Sequence, residues 1–292
     1  MLSLHTNNAA LSAQNSITRT QSSLSTSMTR LSTGFRINSA MDDAAGLQIA
    51  SRLKSQTSGM AVAMRNTQNS TSMLQTAEGA LDEVNNMLVR MKDLATQAAD
   101  ASSTADDKTA MQSEYNALGR DLSNVLQNTT FGGTKLLVGD IATNDGTLRA
   151  GSMTFQIGES ASETMVVDLS AAMSDVGSAV SAATANYSAA STGASELTGT
   201  NANGTITKLE TALKNVGTMR SGLGAAANRL DHVYNNLANI STNSQAAAGR
   251  IMDVDFATES ANMTSKQMLL QAGTAMLKQS NSMSSMVMSL LQ

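Results

Sequence analysis

The sequence has no cysteine, no proline and no tryptophan, and its 292 residues include only four phenylalanines and three tyrosines. Without cysteine there is no disulfide, which fits a reducing compartment or a chain that does without such bridges. Without proline, no helix is broken from within and no slow prolyl isomerisation delays folding. So few aromatics do not fill a thick globular core. A thin core between long helices needs only Leu, Ile, Val, Met and Ala. Charge is also scarce: the net charge is −4 and Lys/Arg clusters are missing, which argues against a nucleic-acid groove. MLSLHTNNAA at the start has neither the basic end nor the apolar run of a signal peptide. No run of about 18 apolar residues exists, so no membrane span is expected. His5 and His232 are the only histidines and neither sits in an HExxH frame, so no metal site or His-based triad is expected. No catalytic set and no cofactor motif is visible. Asp42–Asp43 reads as helix capping, and Gly132–Gly133 as a turn, since no Lys-Ser/Thr follows a GxxxxG frame.

What the chain does hold is Met, Ala, Ser, Thr and Asn in helical periods. Ala10, Ile17, Leu24 and Leu31 recur every seven residues, with Met28 and Phe35 as a companion row, which predicts a coiled-coil helix over about 3–34. The flanks of that seam are uncharged and polar, which suits a helix packed among several neighbours. A break follows in LSTGFRINSAMDDAAGLQIASRL (31–53). Gly34, Asn38, Ser39 and Asp42 mark a connector there, with Ser39 and Asp42 as a capping box. A second helix over about 40–100 carries Leu53, Met60, Thr67, Leu74, Leu81, Leu88 and Ala95. A parallel row holds Ala63, Ser70, Ala77, Val84, Met91 and Ala98. That length spans roughly 90 Å. After a turn, a third helix over about 105–128 runs back antiparallel, with Met111, Leu118 and Val125 on one row and Tyr115 and Leu122 on the other.

The middle changes character. MTFQIG (153–158) and TMVVDL (164–169) predict hairpin strands, and 171–204 reads as a small exposed loop, a short helix within it being an option. A long helix resumes over about 205–248 on Leu209, Val216, Leu223, Leu230 and Leu237, joined by Met219, Ala226, Val233 and Ile240. GRIMDVDFATES (249–260) is a second polar break. The last helix, about 258–290, places Phe256, Met263, Leu270 and Leu277 on one row, with Met276, Met283 and Leu290 beside it. The expected fold is mainly α: long coiled-coil helices from both termini in a rod-like bundle, with a small β-hairpin region mid-chain. The expected divisions are 1–34, 35–140, 141–204, 205–250 and 251–292. The methionines 263, 268, 276, 283, 286 and 288 suit re-packing between two partners, plain core packing being the simpler reading.

LSTGFRINSAMDDAAGLQIASRL resembles the N-terminal signature of bacterial flagellin. NRLDHVYNNLANI, then RIMDVDFATESANMTSKQMLLQAGTAMLKQSN and SLLQ resemble its C-terminal one, and QNTTFGGTKLL (127–137) its link into a β region. The resemblance covers about 1–140 and 205–292, with the motifs in order. It implies a structural subunit that self-assembles into the extracellular flagellar filament and leaves the cell unfolded by the flagellar type III route. Residues 1–34 and 258–292 would line the inner tube, with Ile17, Leu24, Leu31, Leu270, Leu277 and Leu290 as polymerisation seam. The implied partners are further copies of itself, an export chaperone, the filament cap and hook-junction proteins. VRMKDLATQAA (89–99) resembles the segment read by Toll-like receptor 5, which implies receptor contact through Arg90, Leu94 and Glu114. Arg90 and Leu94 are four apart and so share a helix face. The C-terminal end would also be read by cytosolic inflammasome receptors, although Gln292 stands where the family usually has Arg. The competing readings are the family's hook–filament junction protein and a coiled-coil adaptor, the latter expected to carry charged flanks that 3–34 lacks.

Overall fold

The structure, a computed structural model, describes residues 7–138, 146–187, 195–198 and 201–290, of which 284–290 by backbone alone. The elements run α1 (Asn8–Thr33), α2 (Ala44–Ala99), α3 (Ala105–Asn128), β1 (Thr130–Phe131), β2 (Thr134–Lys135), α4 (Thr147–Ala150), β3 (Met153–Gln156), β4 (Thr164–Val167), α5 (Ser170–Ala183), a 3-10 turn (Ala185–Tyr187), α6 (Asn201–Met252) and α7 (Phe256–Leu290). The chain divides into a terminal unit, 1–57 with 242–292, and a central unit, 58–241. No helix among the described residues is long and apolar enough to cross a membrane.

The central unit is built on the heptad rows. Leu74, Ala77, Leu81, Val84, Leu88 and Met91 of α2 are buried, as are Leu209, Val216, Met219, Leu223 and Leu230 of α6. The two helices run antiparallel, tied at their surface by Lys92–Glu210 (2.9 Å) and by Arg220 to Glu78 (3.3 Å) and Asp82 (3.0 Å). Asp100 to Thr104 turn the chain, and α3 then starts on a capping box: Thr104 Oγ1 accepts from the Asp107 amide (3.2 Å), and Asp107 accepts from the Thr104 amide (3.0 Å). Tyr115 and Leu122 on α3 are fully buried, while Leu118 and Val125 pack at the edge of the core.

Beyond α3, β1 and β2 pair Thr130 with Lys135 and Phe131 with Thr134. Gly132 (φ 58°) and Gly133 (φ 86°) form the two-residue turn between them, a conformation that a side chain at both positions would oppose. In the next hairpin, β3 and β4 pair antiparallel from Met153–Val167 to Gln156–Thr164.

The stretch expected as an exposed loop, with a short helix as an option, does hold a helix, α5, but a buried one. Met173, Val176, Val180 and Ala183 are buried there, and the Tyr115 hydroxyl donates to the Ala183 carbonyl at 2.7 Å. Gly119 makes room for the chain after α5, since a Cβ there would meet Thr184 Oγ1 at 2.7 Å. Of the expected loop, 188–194, 199 and 200 lie outside the described residues.

Candidate functional site

The terminal unit contains both polar breaks, and they are strapped together. Gly34 ends α1 in the left-handed region (φ 76°), its amide closing on the Arg30 carbonyl at 2.9 Å. The Arg36 amide then donates to the Met252 carbonyl (2.6 Å) and the Val254 amide to the Gly34 carbonyl (3.0 Å). Phe35 and Asp253 thereby form an antiparallel bridge, and Arg36 Nη2 adds a bond to the Ile251 carbonyl at 2.9 Å.

Ser39 and Asp42 do not cap a helix, contrary to expectation. The Asp42 carboxylate closes a turn by accepting from the amides of Asn38 (3.1 Å) and Ser39 (3.0 Å) and from the Ser39 hydroxyl (3.2 Å). Those amide bonds hold its carboxyl below the usual carboxylate range. Asn38 Nδ2 bonds the Phe35 carbonyl at 2.8 Å. The helix starts later than the expected residue 40, at Ala44, and its cap is Asp43, which accepts from the Gly46 amide at 2.9 Å. Asp255 does the same for α7, accepting from the Thr258 hydroxyl (2.6 Å) and the Ala257 amide (3.0 Å), which lowers its pKa. Arg30 reaches carboxylates from both breaks, Asp42 at 3.7 Å and Glu259 at 4.0 Å.

Helices α1 and α7 pair antiparallel. Asn7 Nδ2 donates to the Ser280 carbonyl at 3.2 Å, Lys266 Nζ to Ser27 Oγ at 2.9 Å, and Arg30 stands by Glu259. Ile17, Leu24 and Leu31 face this seam half-buried, as do Leu270 and Leu277 with Met263. The expected companion rows do not. Met28, Phe35, Met276 and Met283 are exposed, and so is Phe256, expected in the row of Met263, Leu270 and Leu277. Their places in the seam are taken by Ala13, Thr20 and Ser27 on α1 and by Glu259, Lys266, Gly273 and Ser280 on α7. Small residues bring the backbones close: a Cβ on Gly273 would lie 2.9 Å from Ile17 Cγ1. The seam is thus one apolar row and one polar or small row on each helix. The side chain of Leu290 lies outside the described residues, as do those of Met286 and Met288.

The result is a unit with little apolar interior. Ile37 and Ala50 are its only buried apolar residues among those described. Leu11, Met28, Ile49, Phe256, Met268, Leu269, Met276 and Met283 are exposed. Within α7, Leu269, Met276 and Met283 repeat every seven residues as a second apolar row outside the seam.

In the central unit, Arg90 and Glu114 form a surface pair, with Nε at 2.9 Å and Nη2 at 2.7 Å from the same carboxylate oxygen. Leu94 does not join them at the surface. It is 3 % exposed and belongs to the core, so its side chain is unavailable to a receptor in this fold. Arg90 and Leu94 straddle the edge of the buried face of α2, and the shared face inferred from their spacing ends between them.

Comparison with known proteins agrees with this architecture. Residues 4–143 match the bacterial flagellin N-terminal helical region and residues 206–291 the bacterial flagellin C-terminal helical region. The chain is 32 % identical to Flagellin A of Vibrio anguillarum over 386 aligned residues, covering 100 % of both chains. It is 39 % identical to a flagellin of Halalkalibacterium halodurans over 266 residues, covering 91 % of this chain and 90 % of the relative. Among solved structures, a putative flagellar hook-associated protein from Vibrio parahaemolyticus shares the fold alone, at 16 % identity and TM-score 0.56, covering 73 % of this chain and 100 % of that one. Matched at both ends and aligned along its length with full-length relatives, this chain belongs to the bacterial flagellin family, the structural subunits of the extracellular flagellar filament.

Proposed function

We propose that the terminal unit carries the polymerisation contacts of this filament subunit, while the central unit supplies a fold that stands without neighbours. The supporting observation is the apolar surface left open on α1 and α7, above all the heptad row Leu269, Met276 and Met283. Such a row on a two-helix pair is left exposed among the described residues, and further copies of the same chain repeat it along a filament. In this reading residues 1–34 and 251–292 form the inner layer, 35–140 and 205–250 the next, and 141–204 faces outward. The bridged breaks at Gly34–Asp43 and Asp253–Asp255 are the hinge between layers.

Family membership supports a proposal of further partners. An export chaperone holds the C-terminal helix before type III export, and cap and hook-junction proteins bound the growing filament. Toll-like receptor 5 reads the central helices, here through the exposed Arg90–Glu114 pair without Leu94. The assembly role is tested by seeding the purified chain with short filament fragments under mild salting-out and imaging by electron microscopy. Long tubes are expected, and they should vanish when the chain is cut before Phe256. An intact chain that stays monomeric and never elongates seeds would contradict the assembly role and point to a junction protein.

A further inference from the structure

Methionine is the only sulfur residue of this chain, at twenty copies. Most methionines of the central unit lie in its core, and Met91, Met173 and Met219 are fully buried there. In α7 the situation is reversed. The row outside the α1 seam consists of Leu269, Met276 and Met283, exposed at 58 %, 68 % and 55 %. Leucine fills the first position, so the geometry of the row does not demand a thioether at the other two. We propose that Met276 and Met283 form a reversible oxidation site: a hydroperoxide converts them to sulfoxides in the free subunit and so blocks its addition to a filament. The proposal rests on the assembly role of α7 given above.

The chemistry needs no further component. The thioether sulfur attacks one peroxide oxygen, the O–O bond breaks, the S–O bond forms, and the departing oxygen takes a proton to leave as water or alcohol. Sulfur is oxidised by two electrons and the peroxide is reduced by two. The flexible apolar side chain becomes polar, and its new oxygen is a hydrogen-bond acceptor. In water that oxygen is satisfied. Covered by a neighbour's apolar side chains it has no donor, and burying an unpartnered acceptor is unfavourable. The polymer repeats the penalty in every subunit. A methionine already covered in a filament is shielded from the oxidant, so the site acts on subunits before they are incorporated.

The test treats the full-length monomer with hydrogen peroxide, maps sulfoxides by peptide mass spectrometry, and measures seeded elongation. Met276 and Met283 should oxidise well ahead of the buried Met91, Met173 and Met219, and elongation should fall at least tenfold. Methionine sulfoxide reductases with dithiothreitol should restore it. The double variant Met276→Leu/Met283→Leu should lose the peroxide sensitivity, its elongation rate after peroxide matching its own rate before it, whereas Met41→Leu, at a position 97 % exposed outside either helix, should leave the sensitivity unchanged. Oxidised wild-type chain that elongates at the untreated rate would overturn the proposal. So would a double variant that is as peroxide-sensitive as wild type, or sulfoxide reduction at these two residues without recovery. The assembly role fails separately if untreated Leu269→Gln elongates at full rate, or if Met276 and Met283 oxidise as fast in filaments as in monomer.

Discussion

The two units are made from the same long helices and the same poor palette, yet they solve different problems. In the central unit both heptad rows of α2 and α6 turn inward except at Ile240, which is exposed, and Leu81, Leu88, Leu209 and Leu230 are fully buried. In the terminal unit each helix gives one apolar row to its partner and completes the seam with Ser27, Glu259, Lys266, Gly273 and Ser280. That seam fixes register through matched polar pairs while burying little apolar area. Hydrophobic stabilisation scales with area removed from water, so the central unit has the larger share within the monomer, and the proposed assembly role has the terminal unit gain its own from neighbours. A polar residue in a coiled-coil seam costs stability and specifies alignment, and the Lys266–Ser27 bond fits that role.

Truncating the core breaks the comparison most severely. Leu81→Ala or Leu223→Ala should destabilise the central unit by about 2–5 kcal/mol, visible in denaturant unfolding of the monomer. Leu277→Ala, in the half-buried seam, should change monomer unfolding by about 1 kcal/mol or less and yet stop seeded elongation. Removing one hydroxyl comes next. Tyr115→Phe strips the donor from the buried Ala183 carbonyl and should cost about 1–3 kcal/mol.

Alkali should separate the units without mutation. All three tyrosines lie in the central unit, and burial pushes the Tyr115 and Tyr187 hydroxyls up from their ordinary value. A raised folded-state pKa contributes stability that is fully present below the ordinary phenol value and is lost as pH rises through the folded one. Above about pH 10, then, amide exchange should accelerate first in the central unit beyond the intrinsic base-catalysed rise. Gly273→Ala should act in the opposite place, pressing on Ile17 and weakening elongation with the central unit's unfolding unchanged. The smallest effect belongs to Arg90→Ala: its ion pair with Glu114 is exposed on both sides, so monomer stability should move by less than about 1 kcal/mol.

The sequence made the leucine rows legible because heptad spacing and burial coincide wherever both sides of a seam are apolar. It misled where they part. Met28, Phe35, Met276 and Met283 continue an apolar period, and a search for apolar companions selects them over Ser27, Lys266 and Gly273, which actually fill the seam. The Ser39–Asp42 spacing satisfies the capping-box pattern, but the same side chains bond equally well to a turn, and Asp43 is one residue closer to the helix. The bounds and burial of α5 were hidden by its composition of Ala, Ser, Gly and Val, which has no strong period until Met173, Val176 and Val180 are seen against the core. Leu94 shows the limit of spacing rules: four residues from Arg90 is close along a face, and the boundary of burial runs between them.

Cryo-electron microscopy of filaments grown from the pure chain tests the division of labour most directly. Assembly through the terminal unit requires Leu269, Met276 and Met283 to be covered by neighbouring subunits, with the α1–α7 pairing of Lys266 to Ser27 preserved. A filament in which that row faces solvent, while the central unit makes all contacts between subunits, would contradict it.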